Sequence, residues 1–175
     1  IAFAYIGAEA SITLFSIPYA TDVLALGPER GVNAISAFWM GILVGRLGLL
    51  ARRKAPGASW LVGSGVLGGI LLATCVALEL PLIEICIGFC GLLVAGVFPI
   101  MVTLAGEFFP HARGTAIGIS VGAGSIGGFV IPWLVGWIGL TFGVQLAIGS
   151  LAIWYFVVAL GAFSIHRNVT AEQPL

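Results

Sequence analysis

A carboxyl inside an apolar stretch is the first feature of this sequence that could do chemistry. Glu9 lies within the run from Ile1 to about Leu24. An acidic group in hydrocarbon costs ~2.5 kcal/mol or more unless it is paired, protonated or hydrated. At 100° per residue, Tyr5, Glu9, Thr13, Ser16 and Tyr19 fall within an arc of about 120° on a helix. One face is therefore polar and aromatic, and the other apolar. Such a face suits the wall of a water-filled cavity, where a carboxylate and hydroxyls hold a polar molecule and the carboxyl can carry a proton. The plainer reading sets Glu9 near a membrane surface, or in a structural bond to a neighbouring helix.

A second group of charges sits at the ends of apolar runs. Arg46 is embedded near the end of one run, Glu107 closes another, and Arg113 opens the next. Together they can bridge helices and hold one side of a bundle shut. Snorkelling of long basic side chains is the simpler account, strongest for Arg52, Arg53 and Lys54.

Other constellations fall away. GxGxxG occurs at Gly63–Gly68 and at Gly122–Gly127. A dinucleotide site needs a strand before this motif, a helix after it and an acidic residue about 20 positions on. Both matches lie inside apolar runs, so their glycines read as packing residues. The two histidines, His111 and His166, lie outside the runs and cannot pair with a mid-span serine, which excludes serine hydrolysis within the bilayer. Cys75, Cys86 and Cys90 show no CxxC or Cys/His clustering and read as small buried side chains. No metal, cofactor or enzymatic activity is expected.

The elements that hold these residues follow from composition. Of 175 residues, 60% are hydrophobic and 8% charged, whereas soluble domains carry roughly 25% charge. A chain of about 150 residues buries only ~70% of its surface, so the excess apolar content excludes a soluble globule. Seven acidic residues balance seven basic ones, which excludes nucleic acid as a partner. Apolar runs recur at about 1–24, 33–51, 58–78, 82–106, 114–138 and 141–165. Each approximates the ~20 residues a helix needs to cross ~30 Å of hydrocarbon. They do not alternate in polarity as barrel strands do. The expectation is an all-α membrane protein, with a six-transmembrane-helix bundle over 1–166 and a tail over 167–175.

Basic residues orient the bundle. Arg52, Arg53, Lys54, Arg113 and Arg167 fall on one side, against Arg30 on the other. The positive-inside rule then places both chain ends in the cytoplasm, and the sequon Asn168–Thr170 is discarded on that ground. Glycines at four-residue spacing (Gly41/Gly45, Gly65/Gly69, Gly114/Gly118/Gly122, Gly124/Gly128) form flat stripes that let helix backbones approach in lipid. Pro18, Pro99 and Pro132 lie inside runs, where each can kink a helix.

The stretch Phe38 to Gly48, followed by Arg52 to Lys54, resembles the loop motif between paired helices of the major facilitator superfamily. Gly45 stands where that motif is usually acidic, and Leu49 and Leu50 stand at its next basic pair. The stretch Ala105 to Ala116 resembles the segment joining that superfamily's tenth and eleventh helices. The glycine-rich run to Pro132 is similar to its eleventh helix. Tyr5 to Glu9 is similar to the seventh helix of sugar-permease-like members.

The resemblance spans essentially the whole chain and implies the C-terminal half of such a transporter, helices seven to twelve. It implies secondary transport of a small solute, a sugar or an organic anion, by alternating access, with symport of H+ as one mode. It also implies a partner in the N-terminal six-helix half, with solute held between the halves. The bilayer, as the inner or plasma membrane, is the other partner. Tyr5, Glu9, Thr13, Ser16, Tyr19, Trp39 and Thr103 are the expected substrate path. Gly41, Arg46, Glu107 and Arg113 are the expected cytoplasmic gate. Trp39 offers a stacking surface for a sugar ring, or equally for a neighbouring helix. A start at Ile1 rather than Met fits a fragment. The alternatives are a six-helix channel or carrier that works as a dimer, and a membrane scaffold or sensor.

Overall fold

The computed structural model describes residues 1–52 and 56–171, with the side chains of 168–171 excluded. Arg53, Lys54 and residues 172–175 of the expected tail lie outside the described residues. Among those described there is no strand. The helices are α1 (Ala2–Pro18), α2 (Pro28–Leu50), α3 (Ala58–Ala77), α4 (Ile83–Val94), α5 (Val97–Phe108), α6 (Arg113–Phe142) and α7 (Val144–Ala171). A π-helical turn (Tyr19–Val23) follows α1, and a 3-10 turn (Pro110–Ala112) precedes α6. Pro28–Leu50, Ala58–Ala77, Ile83–Phe108, Pro110–Phe142 and Val144–Arg167 are long and apolar enough to cross a membrane. The chain is an all-α membrane helical bundle.

Prolines and glycines explain where helices bend or end. Pro18 lacks an N–H and crowds the carbonyl one turn back, and the helix widens into the π turn directly after it. The single hydroxyl proton of Thr21 is nearest the Asp22 carboxylate at 2.7 Å, with the Ile17 and Pro18 carbonyls at 3.2 and 3.3 Å as alternative acceptors at this bend. α2 begins at Pro28, five residues before the apolar run suggested. Gly27 is the N-cap and Pro28 occupies the first turn, where a missing N–H costs nothing. The run expected over 82–106 is interrupted at Ala95 and Gly96, two residues that separate α4 from α5. Pro99 cannot donate to the carbonyl of Ala95, four residues back. That carbonyl instead accepts from Arg46 Nε at 3.4 Å.

Three helix pairs carry most of the packing: α1 on α6, α2 on α4, and α3 on α7. Each pair meets at glycine. A side chain at Gly127 of α6 would strike the backbone of Phe3. One at Gly41 of α2 would strike the Gly88 carbonyl of α4, and one at Gly65 of α3 would lie 2.6 Å from the Tyr155 carbonyl of α7. In lipid, where apolar surface gains nothing by leaving the solvent, this backbone approach is what makes helices adhere. Gly65 and Gly127 belong to the two GxGxxG matches, which here sit within helices as contact residues. Gly114, Gly118 and Gly122 differ, because a side chain at any of them meets nothing within 4 Å.

Candidate functional site

The polar face of α1 is divided by the fold. Tyr5, Ser16 and Tyr19 turn into the bundle and are buried, while Glu9 and Thr13 stand half-buried at its margin. Leu14 occupies the exposed side. The hydroxyls of this helix mostly bond backwards along it. Ser11 donates to the Gly7 carbonyl at 2.7 Å, Thr13 to Glu9 at 3.2 Å and Ser16 to Ile12 at 2.6 Å. Their protons are thus committed, and their lone pairs remain as acceptors.

The tyrosines are different. The chain has three, and all are buried with hydroxyls that reach no hydrogen-bond partner: Tyr5, Tyr19 and Tyr155. A buried hydroxyl left unpaired costs about 1–3 kcal/mol, and Tyr5 has Glu9 and Arg46 close enough to take up that bond with a small adjustment. Tyr5 and Glu9, one turn apart on α1, lie within electrostatic range of Arg46 of α2. Tyr155 of α7 and Cys90 of α4 share this neighbourhood. Four helices therefore converge on one polar locus. Tyr19 lies apart from it, near Glu79, Cys75 and Cys86.

Of the other expected path residues, Trp39 is exposed on α2 and makes an edge contact with Phe38, ring centroids 5.9 Å apart. Thr103 is exposed on α5 and donates to the Pro99 carbonyl at 2.9 Å. No hydrogen bond or ring contact among the described residues joins either to Glu9. The expected gate is likewise distributed. Arg46 faces the Tyr5–Glu9 locus and the Ala95 carbonyl. Arg113 lies against Gly106, whose missing side chain makes room for it. Glu107 is exposed, and no ion pair joins it to Arg46 or Arg113 among the described residues. Gly41 serves the α2–α4 contact described above.

Sequence reasoning did not find the charge pairing at the opposite end. Arg30, in the first turn of α2, forms a two-pronged ion pair with Glu84, in the first turn of α4. Its Nη2 also donates to the Pro81 carbonyl at 2.9 Å. Nearby, Gln145 at the start of α7 donates to Glu79 at 3.0 Å and to the Val76 carbonyl at 3.2 Å. Tyr155 was missed too. It is one hydroxyl in an apolar helix, and only the packing of α7 brings it near Glu9. The three cysteines are free and buried. The described residues contain no cluster of His, Cys, Asp and Glu able to hold a metal.

No family model matches the sequence, and no solved structure matches it. The chain is 30% identical, over 179 aligned residues, to the glucose/mannose transporter GlcP of Bacillus subtilis (strain 168). The alignment covers 99% of this chain and 43% of that transporter, so the chain spans less than half its relative's length. It is thus an integral, multi-pass helical membrane protein, similar along nearly its whole length to part of a sugar transporter.

Proposed function

We propose that this chain is the C-terminal half of a major-facilitator secondary transporter that carries a hexose-like solute by alternating access. The observation that carries this reading is the locus of Glu9, Tyr5, Arg46 and Tyr155, set among helices of membrane length and similar in sequence to a sugar transporter. A sugar hydroxyl both donates and accepts. Glu9 accepts, and stands at the margin of the bundle where a solute between two halves can reach it. Tyr5 and Tyr155 lie behind it, where they position the carboxyl and pass a proton or a water-borne hydrogen bond. Thr13 adds an acceptor one turn along. Trp39 and Thr103, both exposed, contribute from α2 and α5. Alternating access then rocks this bundle against an N-terminal half.

In this reading α1 with its π turn spans the membrane as a sixth segment. The Arg52–Arg113 end faces the cytoplasm of the plasma membrane, and Arg46, Glu107 and Arg113 close that side when the halves meet. The test is uptake of labelled glucose and mannose by the full reading frame carrying this chain, expressed in a host lacking its own uptake. Glu9→Gln raises KM about ten-fold or more, the scale of a hydrogen bond to a charged group. If Glu9 also carries the coupling proton, Glu9→Gln flattens the pH dependence of uptake. Unchanged pH dependence overturns coupling through Glu9, and unchanged KM overturns its contact with solute.

A further inference from the structure

A cavity of about 780 Å³ lies between α2, α3 and the α4–α5 break, lined by none of the residues of the proposed solute path. Its body is apolar, walled by Val44 and Leu49 of α2, Leu67 of α3 and Leu92 of α4. Missing side chains make the space: Gly48 and Gly63 line it, and a side chain at either would meet nothing within 4 Å. Its mouth is built differently. The guanidinium of Arg52 lies over the Trp60 ring, 4.8 Å from the centroid, with Ser59 beside it. No carboxylate is among the described residues of the lining.

We propose that this groove binds one anionic phospholipid, with an acyl chain along the apolar walls and the phosphate at Arg52. The occupant follows from the polarity of the site. A cavity with a largely apolar body and, among the described lining residues, one cation complements an amphiphile with one anionic end. A sugar would leave its hydroxyls unpaired against Val44, Leu67 and Leu92, at the cost of unpaired buried polar groups. The location agrees. Arg52 and Trp60 flank the α2–α3 connection, at the ends of two helices of membrane length, where tryptophan and basic residues sit at the interface. Basic pockets between transmembrane helices hold anionic lipid heads in this way. The contact with Trp60 also places the guanidinium beside the cavity, where its N–H donors suit a phosphate. Bound lipid would fill the space between α2, α3 and α4 at the end of the bundle where no ion pair forms among the described residues, so lipid charge would set the stability of that end.

The test is native mass spectrometry of the purified full reading frame carrying this chain, titrated with palmitoyl-oleoyl phosphatidylglycerol or the matching phosphatidylcholine. One phosphatidylglycerol is retained in preference to phosphatidylcholine. Arg52→Gln lowers that retention about five-fold, while Arg167→Gln leaves it unchanged. Gly63→Leu, which fills the apolar body, lowers retention of phosphatidylglycerol about ten-fold; if that variant does not fold, Arg52→Gln still decides. Equal retention of the two lipids overturns the head-group assignment. Equal losses in Arg52→Gln and Arg167→Gln mean diffuse attraction and overturn the site. Displacement of the lipid by inorganic phosphate alone makes it a free-anion site and overturns the lipid.

Discussion

The two ends of the bundle are held together by different means. At one end, Arg30 of α2 grips Glu84 and the Pro81 carbonyl, and Gln145 of α7 ties to Glu79 and Val76. These bonds cross between helices and fix their relative positions. At the other end, Arg52 stacks on Trp60, Arg113 rests against Gly106, Glu107 is exposed, and no ion pair forms among the described residues. α6 shows the same contrast along its length. Gly124 and Gly127 press on α1, whereas Gly114, Gly118 and Gly122 meet nothing. The described charges of the first end pair within this bundle. Glu107 at the second end is exposed, and in the proposed transporter it and Arg113 engage the other half when that side closes.

Substitutions that exchange the character of the two ends test this contrast. The largest effect is expected from the glycine stripes. Gly127→Leu forces a side chain into the Phe3 backbone and destabilises the bundle by about 3 kcal/mol, whereas Gly118→Leu on the same helix costs less than about 0.5 kcal/mol. Thermal unfolding in detergent measures both, and equal losses would erase the distinction.

The ion pair comes next. Glu84→Gln costs about 1 kcal/mol or less, because the pair is partly solvated, and Glu107→Gln costs nothing measurable. A double-mutant cycle between Arg30 and Glu84 should show coupling that falls with added salt. Additive losses would mean that the pair does no bracing.

A smaller effect is expected where Arg46 meets the α4–α5 break. Arg46→Lys keeps the charge but replaces the planar Nε donor that reaches the Ala95 carbonyl. It should lower stability by about 0.5–1 kcal/mol and restore less uptake than wild type. Full recovery of both would show that charge alone matters there.

Much of the fold was legible because membrane spans announce themselves. Runs of apolar residues admit few alternatives, and glycines at four-residue spacing marked Gly41, Gly65 and Gly124 as contact points from sequence alone. Two boundaries were not read. The charged Glu29–Arg30 pair looked like a break, yet Gly27 and Pro28 start a helix beneath it. The 82–106 run looked continuous, although Gly96 and Pro99 together interrupt it. The site was legible only as one helix face. Periodicity placed Tyr5, Glu9, Thr13, Ser16 and Tyr19 together, but not the division between interior and margin, which depends on how α1 sits against α6 and α7. Arg46 read as an end-of-helix charge, because its partner carbonyl, Ala95, is 49 residues away in sequence. Arg30 and Glu84 are 54 residues apart, and no local pattern links them.

The central claim is that the margin of α1 carrying Glu9 and Thr13 borders a water-filled path occupied by a sugar. Cysteine placed there reads it directly once any cysteines elsewhere in the full reading frame are replaced, since Cys75, Cys86 and Cys90 are buried. Thr13→Cys and Leu14→Cys, in the full reading frame and in native membrane vesicles, are treated with a charged, water-soluble thiol reagent with and without glucose. The account predicts that Thr13→Cys reacts and is protected by glucose but not by a non-sugar solute of equal concentration, while Leu14→Cys reacts without protection or not at all. Thr13→Cys that never reacts, or reacts equally with and without glucose, would contradict it.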